Sequence, residues 1–317
     1  LGLKKNDYVW TSPITFVAST NCALYCDAKI DLVDISLKDY NIDIDKLKVK
    51  LSKTKKNKIP KIIIAVHFAG NSCDMKSLNL LSKKYKFKIV EDACHAFGGY
   101  YDNKQIGSCK YSDISTFSFH AIKNISAGEG GAITTNKINI KRKIDLLRSH
   151  GIVRSKDKIS WNYDQKHLGY NFRLTDFQSS LAKNQIKRIK KSLKFKYNIA
   201  MIYFKYLNKN KIILPKINNK SGLHLFVIRI KNFSIKKKKK LTELLKKKYK
   251  ILVNFHYIPI YRQSYYKKNF LFNKKNFNNS EVYTNTALSL PFHLSLTKKN
   301  CIYISKSINT LVNDFNK

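Results

Sequence analysis

The segment TFSFHAIKNISAGEGGAITTN, residues 116–136, sets one lysine, Lys123, between a strand-like apolar run, ISTFSF, and a cluster of glycines. Earlier in the chain Asp92 closes a second strand-like run, FKIVED, and the sequence continues DACHAFG, which puts His95 in the loop that follows. A lysine and a carboxylate presented in this way suit pyridoxal phosphate chemistry. The lysine forms a Schiff base with the cofactor, and the carboxylate keeps the pyridine nitrogen protonated, so that the ring becomes an electron sink and a substrate α-proton becomes removable. Ser118 offers a hydroxyl to the cofactor phosphate. Gly128, Gly130 and Gly131 permit the tight turn and close backbone approach that follow the lysine. Each residue alone has a plainer reading. Lys123 is one lysine among 55, Asp92 a solvated strand end, His95 a hydrogen-bonded loop side chain, and the glycines a hairpin or bulge. Their combination and order carry the argument.

Such residues must be held by elements that converge at one edge, and the first two-thirds of the chain supplies them. Strand-like KIDLVDI (29–35), KIIIAV (61–66) and FKIVED (87–92) alternate with helix-patterned DIDKLKVKL (43–51) and DMKSLNLLSKKY (74–85). This rhythm predicts an α/β fold of βαβ units, with a mainly parallel central sheet and helices on both faces. Ligands in such sheets bind at the carboxyl ends of the strands, where Asp92 falls. Thr175 with Gln178 predicts a capping box opening a long helix over about 175–207, with Phe177, Leu181, Ile189 and Leu193 on one face. That helix joins a large domain, 1–190, to a smaller α+β domain, 191–317. The latter is read as a strand HLFVIRI (224–230), a Lys-rich helix over 234–250 with a solvated lysine face, a strand near ILVNFHYIPI (251–260) and an amphipathic helix from about 297. The polar segments KINNKSG and NFNNSE read as loops.

Composition narrows the function classes. The 317 residues, 43% of them apolar, suffice for a sizeable core. No apolar run approaches the roughly 20 residues of a membrane span. The six cysteines form no C-x-x-C pair and the eight histidines no ligand-spaced cluster, so no metal site is expected. Unpaired cysteines suit a reducing cytoplasm. The formal charge of +42 raises a rival, a nucleic-acid-binding protein. Only seven of the 62 basic residues are arginine, however, and the lysines are spread over the whole length. The opening LGLKK has neither an initiator methionine nor a signal-peptide pattern, which predicts that an N-terminal segment is missing.

The strings EDACHAFGG, STFSFHAIKNISAGEGGAITTN and LGYNFRLTDFQSSLAKNQIKRI resemble the DegT/StrS family of pyridoxal-phosphate-dependent nucleotide-sugar aminotransferases, of fold type I. WTSPITFVASTNCALYCDAKIDLVDI, FHYIPIYRQSYY and LSLPFH extend the likeness over almost the whole chain. The resemblance implies that Lys123 carries the cofactor and acts as general acid and base, and that Asp92 pairs with the pyridine nitrogen. It further implies that His95 contacts the phenolic oxygen, that Ser118 binds the phosphate, and that Phe16 stacks on the pyridine ring; without it, Phe16 reads as a core residue of a short helix. Asn171, otherwise a turn residue, would reach across a homodimer interface to the partner's cofactor phosphate. The implied substrates are L-glutamate and a UDP-linked 4-keto-6-deoxy-N-acetyl sugar, aminated at C4 in nucleotide-sugar biosynthesis of the pseudaminic acid type, with another nucleotide-linked keto sugar as the alternative. A lysine at position 123, where dehydrating relatives carry histidine, points to amino transfer. Asp27, Ser126 and Ala127 depart from the family's usual residues, and the family's small-residue turn upstream of WTSPITF is absent from the sequence.

Overall fold

The computed structural model describes residues 1–155 and 161–315. Among these, the alternating segments form a six-stranded sheet in the order β2-β1-β3-β4-β7-β8. Its strands are β1 (Tyr8–Thr11), β2 (Lys29–Leu32), β3 (Ile62–Val66) and β4 (Lys88–Asp92), followed, after the short hairpin β5 (Tyr100–Tyr101) and β6 (Lys104–Gln105), by β7 (Ile114–Ser118) and β8 (Gly131–Thr134). All neighbours pair in parallel except β8, which runs antiparallel to β7. The crossovers carry α1 (Ala18–Leu24), α2 (Ile44–Lys53) and α3 (Met75–Tyr85). Asp43 and Asp74 cap α2 and α3 by accepting N–H bonds from their first turns. Strand β3, IIIAV, is buried along its whole length, as a strand covered on both faces must be. On one face Trp10, Leu47, Leu78 and Phe87 pack together, and on the other Val9, Ile30, Ile64 and Val66 meet Tyr261 and Tyr266.

Then come α4 (Ile138–Arg148), the antiparallel pair β9 (Ile152–Arg154) and β10 (Tyr163–Gln165), and α5 (Asp176–Tyr206). The capping box forms as expected: the Thr175 hydroxyl accepts from the Gln178 N–H, and the Gln178 side chain accepts from the Thr175 N–H. The apolar face of α5 is divided, however. Ile189 is buried, while Phe177 and Leu181 stand exposed at its N-terminal end among the described residues. The last third comprises β11 (Ile212–Ile213), β12 (Phe226–Ile230), α6 (Ile235–Tyr249), α7 (Ser264–Asn269), α8 (Asn278–Thr286), β13 (Ala287–Leu290) and α9 (Lys298–Asp314). Tyr203, Phe226, Ile228, Leu241, Leu245 and Ile308 pack there as one core.

Three sequence expectations fail locally. Residues 251–260 are not a strand: one isolated bridge, Asn254 to Ser289, is their only ladder contact, and Pro259 has no N–H to extend it. NFNNSE is not all loop, because α8 starts within it. The buried Asp34 carboxylate accepts the Asn279 and Ser280 N–H groups at 2.9 and 3.0 Å, a cap supplied from far away in the chain. Finally, α6 buries one of its lysines: Lys238 Nζ lies 3.6 Å from the Phe255 ring centre and donates to the Thr284 carbonyl.

Candidate active site

Parallel pairing of β4 with β7 sets Asp92 opposite Thr116, so Asp92 and Ser118 emerge at the same, carboxyl, edge of the sheet. Lys123 lies in the connection from β7 to β8, where its N–H donates to the His120 carbonyl at 2.9 Å. The connection is closed by Phe119 N–H to Gly130 O and Ala127 N–H to Phe119 O, both 2.8 Å. Gly130, at φ +130°, has a backbone geometry that side-chain-bearing residues rarely adopt. A cavity of about 480 Å³ opens at this edge, and Lys123, Asp92, His95, Ser118 and Phe16 all line it. Five positions scattered over more than a hundred residues of sequence therefore converge as expected. Asn171 does not line that cavity. It is exposed, bridges Ser149, and sits between Tyr170 and Phe172, whose rings stack 4.7 Å apart.

The Asp92 carboxylate accepts the Ser19 hydroxyl at 2.7 Å and the Cys94 N–H at 3.2 Å. Among the described residues it has no ion-pair partner within salt-bridge distance, which leaves it free to receive a cationic ligand group. Burial lowers the pKa of the Lys123 amine, and the opposing pull of Cys94 and Asp92 offsets this only in part. A buried lysine of lowered pKa is a better nucleophile at neutral pH.

His95, 6% exposed, is held at both ring nitrogens: Nδ1 accepts the Ala69 N–H at 3.3 Å, and Nε2 lies 3.0 Å from the Tyr257 hydroxyl. Because Nδ1 accepts, the proton of the neutral ring belongs on Nε2. Burial, with the charges of Lys123 and His256, keeps the ring well below its ordinary pKa. Phe16 is no core residue: it is 59% exposed, immediately before α1, with its ring 6.0 Å from that of Tyr257.

Sequence reasoning missed His256 and Tyr257, which face the cavity from residues 251–260. His256 Nδ1 bonds the Ser289 hydroxyl at 2.8 Å, and burial, followed by Lys123, brings its pKa down to about 4. Burial, then Asp92 and Cys94, raises the Tyr257 hydroxyl above its usual range. The one signal for this pair was the string FHYIPI, a match without an assigned role. An amine, an uncompensated carboxylate, two aromatic rings and a hydroxyl in a cavity of this size fit a phosphorylated pyridine aldehyde. Among the described residues no group of histidine, cysteine and carboxylate side chains could hold a metal, and no helix is long and apolar enough to cross a membrane.

Comparison with known proteins identifies relatives of the whole chain. A UDP-4-amino-4,6-dideoxy-N-acetyl-beta-L-altrosamine transaminase of Campylobacter jejuni is 36% identical over 313 residues, which is 98% of this chain and 80% of the relative. The structure of Helicobacter pylori PseC, an aminotransferase involved in the biosynthesis of pseudoaminic acid, superposes with a TM-score of 0.90 at 30% identity, covering 98% of this chain and 81% of that one. The PLP form of Spr1654 from Streptococcus pneumoniae gives 0.89 at 26% identity, covering 98% and 82%. Residues 1–309 match the DegT/DnrJ/EryC1/StrS aminotransferase family, and the chain belongs to that family.

Proposed function

We propose that this aminotransferase uses pyridoxal phosphate to move the amino group of glutamate onto the C4 ketone of a UDP-linked 4-keto-6-deoxy-N-acetyl sugar, in nucleotide-sugar biosynthesis of the pseudaminic acid type. The observation that carries the reading is the meeting of Lys123 and Asp92 in one cavity of a chain 36% identical to a transaminase named for such a product. When bound, pyridoxal phosphate supplies the electron sink that makes the amino acid's α-proton removable.

The rest falls to the chain's own residues. Lys123 Nζ is the group that would hold the cofactor, and the same nitrogen, as general acid and base, would take up and return the substrate's α-proton. On the sugar it runs the transfer in reverse at C4. Asp92, oriented by Ser19 and the Cys94 N–H, holds the proton on the pyridine nitrogen. His95, whose Nε2 lies 3.0 Å from the Tyr257 hydroxyl, would serve the phenolic oxygen, Ser118 would donate to the phosphate, and Phe16 would offer its exposed ring to the pyridine.

Asn171 serves the second active site of a homodimer. The exposed apolar side chains near it in sequence support this: Leu168 is 88%, Tyr170 58%, Phe172 68% and Phe177 83% exposed. One core built wholly from residues beyond 190, from Ile199 to Val312, supports a smaller C-terminal domain, even though Tyr261 and Tyr266 pack on the N-terminal sheet. A cytoplasmic location is supported by six free cysteines. The test is a visible spectrum of the protein with added pyridoxal phosphate, then mass spectrometry of glutamate reactions with UDP-, TDP- and GDP-linked 4-keto sugars. A lysine-bound cofactor band and preferential amination of the UDP-sugar are expected. Preferential amination of a TDP- or GDP-sugar would overturn the substrate, and absence of the band would overturn the chemistry.

A further inference from the structure

Helix α5 carries lysines 183, 187, 190, 191, 194 and 205 on its exposed surface, but Lys196 is only 8% exposed. Its ammonium has no carboxylate within ion-pair distance among the described residues. Instead Nζ donates to Asn124 Oδ1 at 2.7 Å and lies 5.7 Å from the centre of the Phe292 ring. A buried cation with so little compensation costs stability, and an apolar side chain of similar length in its place would be neutral or stabilising. Packing therefore does not account for it.

What Lys196 touches does. Asn124 directly follows Lys123, and its amide donates onward to the Gly222 carbonyl. Gly222 N–H in turn donates to Gly70 O at 2.8 Å and His224 N–H to Ala69 O at 3.0 Å, while Ala69 N–H donates to His95 Nδ1. One node thus ties the backbone beside Lys123 to the backbone that orients His95, and Lys196 closes it from α5. Asn124 has an acceptor and a donor end, and a cation at the acceptor end fixes which way round the amide lies, so that its donor end meets Gly222.

We infer that Lys196 is a positioning residue for Lys123: by orienting the Asn124 amide it holds the Lys123–Asn124 backbone against Gly222 and so sets where Lys123 Nζ stands in the cavity. The inference rests on the proposed role of Lys123. Lys196→Met, Asn124→Ala and the double variant test it in the holoenzyme. Lys196→Met should melt no lower than the parent and still show the lysine-bound cofactor band, with kcat down about tenfold or more and the KM for glutamate little changed. Asn124→Ala should lose a similar factor, and the double variant no more than either alone, because both act through one contact. An unchanged kcat in Lys196→Met, losses that multiply in the double variant, or a lowered melting temperature in Lys196→Met with an unaffected Asn124→Ala would each overturn it. A parent protein without the cofactor band would instead count against the proposed function, which keeps the two failures apart.

Discussion

Gly222→Ala is the sharpest single probe of how the last third of the chain supports the site. A Cβ at Gly222 would stand 2.5 Å from Ala96 Cα, 2.7 Å from Ala96 C and 2.9 Å from His95 O. All three neighbours are backbone, so no flexible side chain can swing aside. With no clash, alanine would stabilise by about 0.4–1 kcal/mol through the unfolded state. Overpacking of this kind costs about 1–3 kcal/mol, and three backbone contacts below 3.0 Å argue for the upper end, so the clash wins by about 1–2 kcal/mol. At roughly 2–4 °C per kcal/mol for large domains, the melting temperature should fall by a few degrees. The displacement also has a direction: it pushes on the backbone that carries His95 and moves the Gly222 carbonyl that receives Asn124. Turnover should therefore fall further than stability does, most visibly well below the melting temperature. Calorimetry of the holoenzyme and kcat at 25 °C provide the check. A variant with the parent's melting temperature and kcat would refute both the close approach and its link to the site.

Lys123→Ala should abolish the lysine-bound cofactor band and turnover while preserving the fold; sustained transamination would sink the assignment. Asp92→Asn should retain cofactor binding, yet lower kcat by about two or more powers of ten, since a neutral amide no longer stabilises a protonated pyridine nitrogen; full activity would mean that another acid does the work. In the proposed homodimer, Phe177→Glu, at an exposed apolar position, should shift sedimentation from dimer to monomer; a parent that sediments as a monomer, or an unchanged dimer in the variant, would count against that surface. For Lys196, burial pushes the pKa down to about 8 from an ordinary 10.5. Between those values the unfolded chain binds more protons than the folded one, so stability should rise over pH 8 to 10.5, by on the order of 3 kcal/mol. Denaturation of Lys196→Met against pH should lack that rise, and a parallel rise in both proteins would refute its origin in Lys196.

What the sequence revealed and what it hid divide along the range of the interactions. Asp92 was legible because it ends a strand whose pattern is local, Lys123 because it closely follows another, and the capping box at Thr175 because its partners are three residues apart. The start of α8 was hidden because its cap, Asp34, lies about 245 residues away. His256 and Tyr257 were hidden because an alternating apolar run reads as a strand, while the chain there follows a cavity wall instead. Lys196 was hidden because nothing local separates one lysine of α5 from its exposed neighbours; burial is decided by where the helix is laid against Asn124 and Phe292. Family membership favours the enzyme over the rival that the +42 charge raised, and the lysines exposed along α5 and α6 show part of that charge as solvated surface.

The electrostatics of the cavity follow from the same burial. His95 and His224, their rings 4.4 Å apart, are both kept well below the ordinary histidine pKa, and His256 titrates at about 4; burial is the first cause for each, and the Lys123 charge depresses all three. At neutral pH these three are therefore uncharged, and the other ionisable side chains of the cavity lining include Lys123, Asp92, Glu129 and His120. Glu129 lies 3.7 Å from His120, whereas Asp92 has hydrogen-bond donors but no ion-pair partner among the described residues. Three protonated imidazoles around Lys123 would compete for Asp92 and weaken its hold on a pyridinium proton. Neutral ones leave that carboxylate to the cofactor, and they add hydrogen-bonding groups without adding charge. A chain so rich in cations can thus present a cavity where burial keeps His95, His224 and His256 uncharged at neutral pH and lowers the pKa of the Lys123 amine, as the proposed chemistry requires.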